Sequence, residues 1–309
     1  MMLIRLGQLC ICFAMFFGSI LYAEEASTEP VVQTGFLPAE ATHTNWVFSG
    51  MVTDENGDRY AYFFQMQRRG SDFHSLAALF DAQTKTMVLM DEGDATIPDP
   101  ERNNWHTGHS FLRFNAINDS WIFGIKTFDK KGFNFKVDML NQPEHNPVTQ
   151  GLRAGVEVIV SQSGQLNGHV KVDSESKEQF VTAKNTWFRQ IWLSNPQAQS
   201  HQLNSVLCRF NDGSGFYSMN MLEPDALRGA MAGWFDAQGL PSAMSQFINV
   251  KETPDGSWHI RVTSPSLSLT LSDAMKQRSV VAGFVTEQSN QGFCVLNDDA
   301  MGEEKTSQG

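Results

Sequence analysis

From Trp46 onward, hydrophobic and polar positions alternate with period two, the pattern of strands that bury one face. Trp46, Phe48, Gly50 and Val52 share one face. Asp54-Glu55-Asn56-Gly57 follows as a turn ending in Asn-Gly, and Tyr60, Tyr62, Phe64 and Met66 alternate on the return strand, so the segment predicts a β-hairpin. Leu76 to Phe80 and Thr86 to Met90 predict a further pair. Trp121, Phe123 and Ile125 alternate, as do Phe133, Phe135, Val137 and Met139 after the turn Asp129-Lys130-Lys131-Gly132. Val156, Val158 and Val160 open another strand.

The second half repeats the pattern. Leu203 to Phe210 and Phe216 to Met221 flank a turn rich in Asn, Asp and Gly. Trp258, Ile260 and Val262 alternate, then Leu267, Leu269 and Leu271, then Val281, Gly283 and Val285, then Phe293 and Val295. Helical spacing is confined to residues 224–230 and 272–277, each enough for a turn or two. Many short strands joined by Gly, Asn and Asp turns predict a sandwich or barrel. Each half opens on a tryptophan strand, at Trp46 and at Trp187. The pattern therefore predicts two β modules, 41–178 and 179–297, joined near residues 175–186, after a polar leader at 24–40 and before a polar tail at 298–309.

Residues 1–23 have the form of a secretory signal peptide. Arg5 supplies the positive end and Leu9 to Phe17 the apolar run. Leu21-Tyr22-Ala23 offers a cleavage site before Glu24. The run is short for a bilayer span, so export to the periplasm or the medium is expected over a retained anchor. No second long apolar run follows, and a soluble mature chain without an integral membrane segment is expected. Cleavage leaves Cys208 and Cys294, both in strand-like contexts; two buried thiols are the first reading, and a single bridge in an oxidising compartment is the alternative.

Composition narrows the function classes. In 309 residues, 41% are hydrophobic and 11% aromatic, enough for a sizeable core and incompatible with a mainly disordered chain, a coiled coil or a collagen-like rod. The formal charge of −11 repels phosphate backbones and argues against a nucleic-acid partner.

The segment Asn185-Thr186-Trp187-Phe188-Arg189-Gln190-Ile191-Trp192 carries the most information. Its two tryptophans are five apart and fall on opposite faces of an unbroken strand. With the early strand from Trp46, its hairpin turn and its aromatic return strand, the chain resembles the AttH-like and acyclic carotenoid hydratase (hydroxyneurosporene synthase) family. That family has a central Trp-x-Asp-x-x-Trp box after a Gly- and Val-rich strand, to which Gly164 to Val172 and Trp187 to Trp192 are similar. Val280 to Val285 and Gly292 to Leu296 are loosely similar to its closing strands. The resemblance spans nearly the whole mature chain. It implies an all-β fold of two lipocalin-like antiparallel barrels packed together, with a ligand cavity between or within them, and cofactor-free handling of terpenoid or polyketide-type molecules.

The departures bear on activity. The acidic position of the box holds Arg189, a poor proton donor near neutral pH. The family's late Trp-Glu-Gly is replaced by Val281-Ala282-Gly283. What remains is an aromatic frame around a cation, suited to an apolar ligand with an acidic group. The expected ligand-binding residues are Trp46, Tyr62, Trp187, Arg189, Gln190 and Trp192, with Arg189 meeting the anion. A structural role for the tryptophans as core, with Arg189 paired to an acid, fits the same residues. Binding of a hydrophobic lipid-, terpenoid- or polyketide-like molecule is thus the leading expectation. A cofactor-free hydratase, isomerase or cyclase is the alternative, with Asp236, Glu223 or Glu287 as the acid if one turns inward beside Trp187. A secreted interaction protein is a third possibility.

No cofactor or metal is expected. His106 and His109 have an H-x-x-H spacing but no third ligand nearby in sequence. Ser174 to Lys177 matches S-x-x-K by spacing but lies in an acidic polar run. No nucleophile elbow, P-loop or dinucleotide fingerprint is present. His43, His74, His169 and His201 are isolated and read as surface or satisfied side chains, and Arg113 can face either way from its apolar strand.

Overall fold

A computed structural model describes residues 41, 43–100, 103–139, 150–153, 155–193, 201–223, 226–287 and 290–301. The predicted signal peptide and leader lie outside these residues. Strands β1 (His43–Asp54) and β2 (Arg59–Arg69) form the predicted hairpin, with Trp46 opposite Met66 and Phe48 opposite Phe64. Asp54 builds the turn: its carboxylate accepts the backbone N–H groups of Asn56 and Asp58, each at 2.8 Å. Gly57 sits at a φ of 90°, where a side chain would be strained.

Strands β3 (Asp72–Asp81) and β4 (Thr86–Thr96) are the second predicted pair. A meander follows: β5 (Asn104–Thr107), β6 (Ser110–Asn115), β7 (Ser120–Lys126) and β8 (Gly132–Asp138). Next come β9 (Gln150–Arg153), β10 (Val156–Ser163), β11 (Gln165–Lys171), β12 (Gln179–Ala183) and β13 (Thr186–Leu193). All thirteen join one antiparallel sheet in the order β4-β3-β2-β1-β12-β11-β8-β7-β6-β5; β13 also pairs with β1, β10 with β13, and β9 with β10.

The two ends of that order meet, so the sheet curls into a nearly closed barrel. Side chains hold the seam. A Cβ on Gly93 of β4 would lie 2.9 Å from the Thr107 carbonyl carbon of β5. Thr107 Oγ1 donates to Ser75 Oγ, and Asp91 Oδ1 lies 2.8 Å from His109 Nδ1. The interior is aromatic. Trp46 stacks on Trp105 with centroids 4.7 Å apart, and Phe48 on Phe123 at 4.2 Å; such contacts add to the burial of large rings.

The remaining strands are β14 (His201–Phe210), β15 (Gly215–Glu223), β16 (Ala226–Phe235), β17 (Pro241–Ser242), β18 (Ile248–Glu252), β19 (Trp258–Val262), β20 (Leu267–Leu271), β21 (Met275–Gln277), β22 (Val280–Glu287) and β23 (Asn290–Met301). A second sheet runs β17-β16-β15-β14-β23-β22-β21, and β18, β19 and β20 make a third. Between the second and third sheets, Phe216, Ile260, Leu269, Val281 and Leu296 form a core. Cys208 and Cys294 stand opposite each other on β14 and β23 and are joined by a disulfide in that core. The other face of the second sheet covers the outside of the barrel, where Val47, Phe63 and Leu76 meet Leu207, Val280 and Phe293.

The fold is all-β, with no α-helix among the described residues. The helical spacing at 224–230 and 272–277 is overridden. Residues 226–235 form β16, paired with β15 throughout except at an irregularity between Leu227 and Gly229, and Gly229 lets the strand approach the Leu152 carbonyl closely. Residues 275–277 form β21 on β22. Strands β12 and β13 pair within the first sheet, so that sheet continues past residues 175–186, and the chain enters the second sheet at His201.

Candidate ligand-binding site

Every residue of β13 is buried, because both of its faces are covered. Alternation then sorts the predicted site residues into two groups. Phe188, Gln190 and Trp192 face the barrel interior, with Trp46 and Tyr62. Trp187, Arg189 and Ile191 face the second sheet. The two tryptophans of the box therefore lie on opposite faces, and the six predicted residues do not share one cavity.

On the barrel side, Trp46 is the cross-strand partner of Gln190, and Ile159 flanks Gln190 from β10. The Gln190 carboxamide is fully buried and neither of its polar atoms has a partner among the described residues. Burial raises the Tyr62 phenol well above its usual range. Trp46, Tyr62, Phe188 and Trp192 belong to one packed aromatic core.

On the other side, the Trp187 indole Nε1 donates to the Cys208 carbonyl at 2.9 Å, and its ring meets Tyr217 and Phe235 edge-on. Arg189 is fully buried and donates from Nη1 to Ser205 Oγ. Arg209 is a second buried cation on this face of the second sheet. Burial lowers its pKa to about 10, against the pull of Asp212 and Tyr62.

Beyond Arg189 the apolar contact between the sheets ends in a polar layer. Asn45, cross-strand from Gln67, and Asn297, cross-strand from Val280 and Ser205, are both buried. None of their four side-chain polar atoms has a partner among the described residues. Gln67 and Val280 also line a cleft of about 990 Å³ between the first and second sheets. Arg69, His74, Asp94, Arg278 and Asp298 form its rim and walls, and Leu76 supplies apolar surface.

Two charge pairs shape the cleft. Arg278 Nε of the second sheet pairs with Glu92 of the first, which also accepts Gln277 Nε2. His74 Nδ1 lies 2.8 Å from Asp94 Oδ1, and its Nε2 lies 3.7 Å from Glu92. His43, at the end of β1 opposite Arg69, has its pKa lowered by burial and by the Arg69 charge. The cleft is of mixed charge: Arg69 and Arg278 share its lining with Asp72, Asp94 and Asp298, and it holds an imidazole hydrogen-bonded to a carboxylate, a usual means of moving a proton.

Sequence reasoning did not find Asn45, Gln67, Arg69, Arg278 or Asn297, and it set His74 aside as isolated. These polar positions alternate with core residues and resemble a solvent face. The available signal was in β1 itself, where Asn45-Trp46-Val47-Phe48 carries large apolar groups on both faces, as strands covered on both sides do. Asp236 does not turn inward: its carboxylate accepts the backbone N–H groups of Gln238 and Leu240 in its own turn. The Glu223 and Glu287 side chains lie outside the described residues. Arg113 is exposed. No group of three or more His, Cys, Asp or Glu converges on a metal position among the described residues.

The fold is all-β and lipocalin-like, and it is shared with solved structures of AttH-like proteins. The chain is similar to the crystal structure of a protein assigned as an AttH from Nitrosomonas europaea, with a TM-score of 0.59 and 12% identity over 86% of this chain and 94% of that one. It is also similar to kievitone hydratase from Nectria haematococca, with a TM-score of 0.55 and 10% identity over 84% of this chain and 89% of that one. No protein-family model and no curated protein sequence matches the chain. At such identities the likeness is one of fold.

Proposed function

We propose that this is an exported lipocalin-like protein that binds an apolar small molecule of lipid, terpenoid or polyketide type, carrying an acidic group, between its first and second sheets. The observation that carries this reading is the cleft of about 990 Å³ beside the buried, unpaired carboxamides of Asn45 and Asn297. These carboxamides lie one strand from the lining residues Gln67 and Val280, and buried polar groups without partners are costly. Phe73, Leu76 and Val280 form the apolar part of the lining, and Arg69 and Arg278 meet the acid. Arg189 is fully buried, donates to Ser205 and does not line this cleft. Export rests on the form of residues 1–23, and the Cys208–Cys294 bridge suits an oxidising compartment.

Native mass spectrometry and lipid extraction of protein purified from its own host test this reading. An acidic apolar molecule is expected, and Arg278→Ala is expected to weaken its binding about tenfold, in line with loss of one charged contact. A ligand-free protein that binds no member of a fatty-acid and terpenoid-acid panel overturns it.

The His74–Asp94 pair on the cleft wall favours a second reading, a cofactor-free hydratase, isomerase or cyclase working in the same cleft. Turnover of a bound substrate that is abolished by His74→Asn, with binding retained, distinguishes catalysis from carriage.

A further inference from the structure

A separate cleft opens between the second and third sheets, on the far side of the second sheet from the barrel. It measures about 340 Å³ and is lined by Trp234 of β16, Ser242 and Ala243 at β17, and Ser264, Pro265 and Ser266 in the turn from β19 to β20. Two strands explain why it exists. Strand β20 packs on β22 and closes one side of the space between the sheets. On the other side β17 has only two residues, so the edge beside Trp234 is left short.

The lining has a definite chemistry. The Trp234 ring stacks on Phe216 with centroids 5.8 Å apart and planes 11° apart, which fixes its orientation, and it stays partly exposed in the cleft. Three serines and a proline face an aromatic plane. The mouth is framed by a loop that is itself anchored: Ser245 N–H donates to the Ser264 carbonyl at 2.7 Å. In the same segment of chain Leu240 is 53% exposed and Phe247 67%, large apolar groups of the kind that mark interaction surfaces when left in water.

A second observation lies deeper on the same face of the second sheet. Phe216 pairs with Trp234, and the next rung on that face pairs Ser218 with Ala232. Ser218 is 1% exposed, and its Oγ has no partner among the described residues. A hydroxyl so deeply buried stabilises the fold more when something accepts from it or donates to it.

We infer that this cleft is a second binding site, for a small uncharged aromatic or alicyclic molecule bearing a hydroxyl or carbonyl. Its ring lies against Trp234 and Pro265, and its polar substituent meets the serine hydroxyls. No charged side chain lines the cleft, so it takes a different class of molecule from the inter-sheet cleft.

The test uses 2-naphthol, neutral at pH 7, titrated calorimetrically into the full mature chain. Saturable one-site binding is expected. Trp234→Ala is expected to weaken it at least tenfold. Because Trp234 also packs in the core, Ala243→Phe provides an independent check: Ala243 is exposed at the mouth, so a phenyl group there should block binding while leaving the melting temperature unchanged. Absence of saturable binding by the native chain overturns the proposal, as does binding within twofold of native by Ala243→Phe or by a folded Trp234→Ala protein. Laurate, titrated in parallel, reports on the charged inter-sheet cleft, so failure of one site is not mistaken for failure of the other.

Discussion

Glu92 on β4 and Arg278 beside β22 form an ion pair that ties the first sheet to the second across the mouth of the inter-sheet cleft. The Arg278 side chain is largely exposed, so water and salt screen the attraction. Arg278→Ala is expected to change unfolding free energy by under about 1 kcal/mol. Urea denaturation measures this. A much larger loss would mean that the pair holds the sheets together rather than merely shaping the cleft.

Gln190→Met tests the barrel interior. The variant replaces an unpaired buried carboxamide by an apolar chain of similar length. It is expected to stabilise the protein by about 1–2 kcal/mol. Trp46→Ala, one strand away, removes a ring packed on Trp105 and is expected to cost about 3–5 kcal/mol. Denaturant midpoints of the two variants should move in opposite directions.

The barrel seam depends on a missing side chain. Gly93→Val places methyl groups against the Thr107 backbone, where even a Cβ is too close. A loss of about 1–3 kcal/mol is expected from overpacking. Hydrogen exchange should report the damage first at β4 and β5.

His43 sets a pH dependence. Its folded pKa lies below the ordinary value of 6.5, so the folded state binds this proton less readily than the unfolded state. The stability it contributes is complete above 6.5 and is lost as pH falls through the lowered folded value. His43→Asn should therefore flatten the decline in melting temperature between about pH 7 and about pH 5, where histidine titrates.

The disulfide joins residues 86 apart in sequence. Closing so long a loop restricts the unfolded chain, and the double variant Cys208→Ala, Cys294→Ala is expected to lose about 4 kcal/mol. Thermal unfolding with and without reductant should show the same drop in the native chain and none in the variant.

Strand positions, turns and the barrel-lining aromatics were legible in the sequence because one face of each strand repeats at period two, as Trp46, Phe48 and Val52 do. The outer face of β1 was not. Asn45 and Ser49 read as solvent-facing, yet the second sheet covers them, and a local pattern carries no trace of a cover that arrives more than a hundred residues later. The same limit hid the candidate site. His74, Arg278 and Asn297 converge only through that packing, whereas Trp187 to Trp192 stood out because its information is contiguous. The helical spacing at 226–230 misled for a related reason: β15 offered those residues a ladder that local spacing cannot register.

Strand β13 is a party wall. Because side chains on a strand switch sides at every residue, deleting one position between Thr186 and Leu193 would send every residue on one side of the deletion to the opposite face, so that barrel-lining groups such as Trp192 would turn toward the second sheet and its neighbour Ile191 into the barrel. Neither compartment can be remodelled by shifting this strand without rewriting the other. Variation that enlarges or reshapes a binding space in this chain is therefore confined to walls that serve a single room, such as β6, β8 and the loops around Trp234.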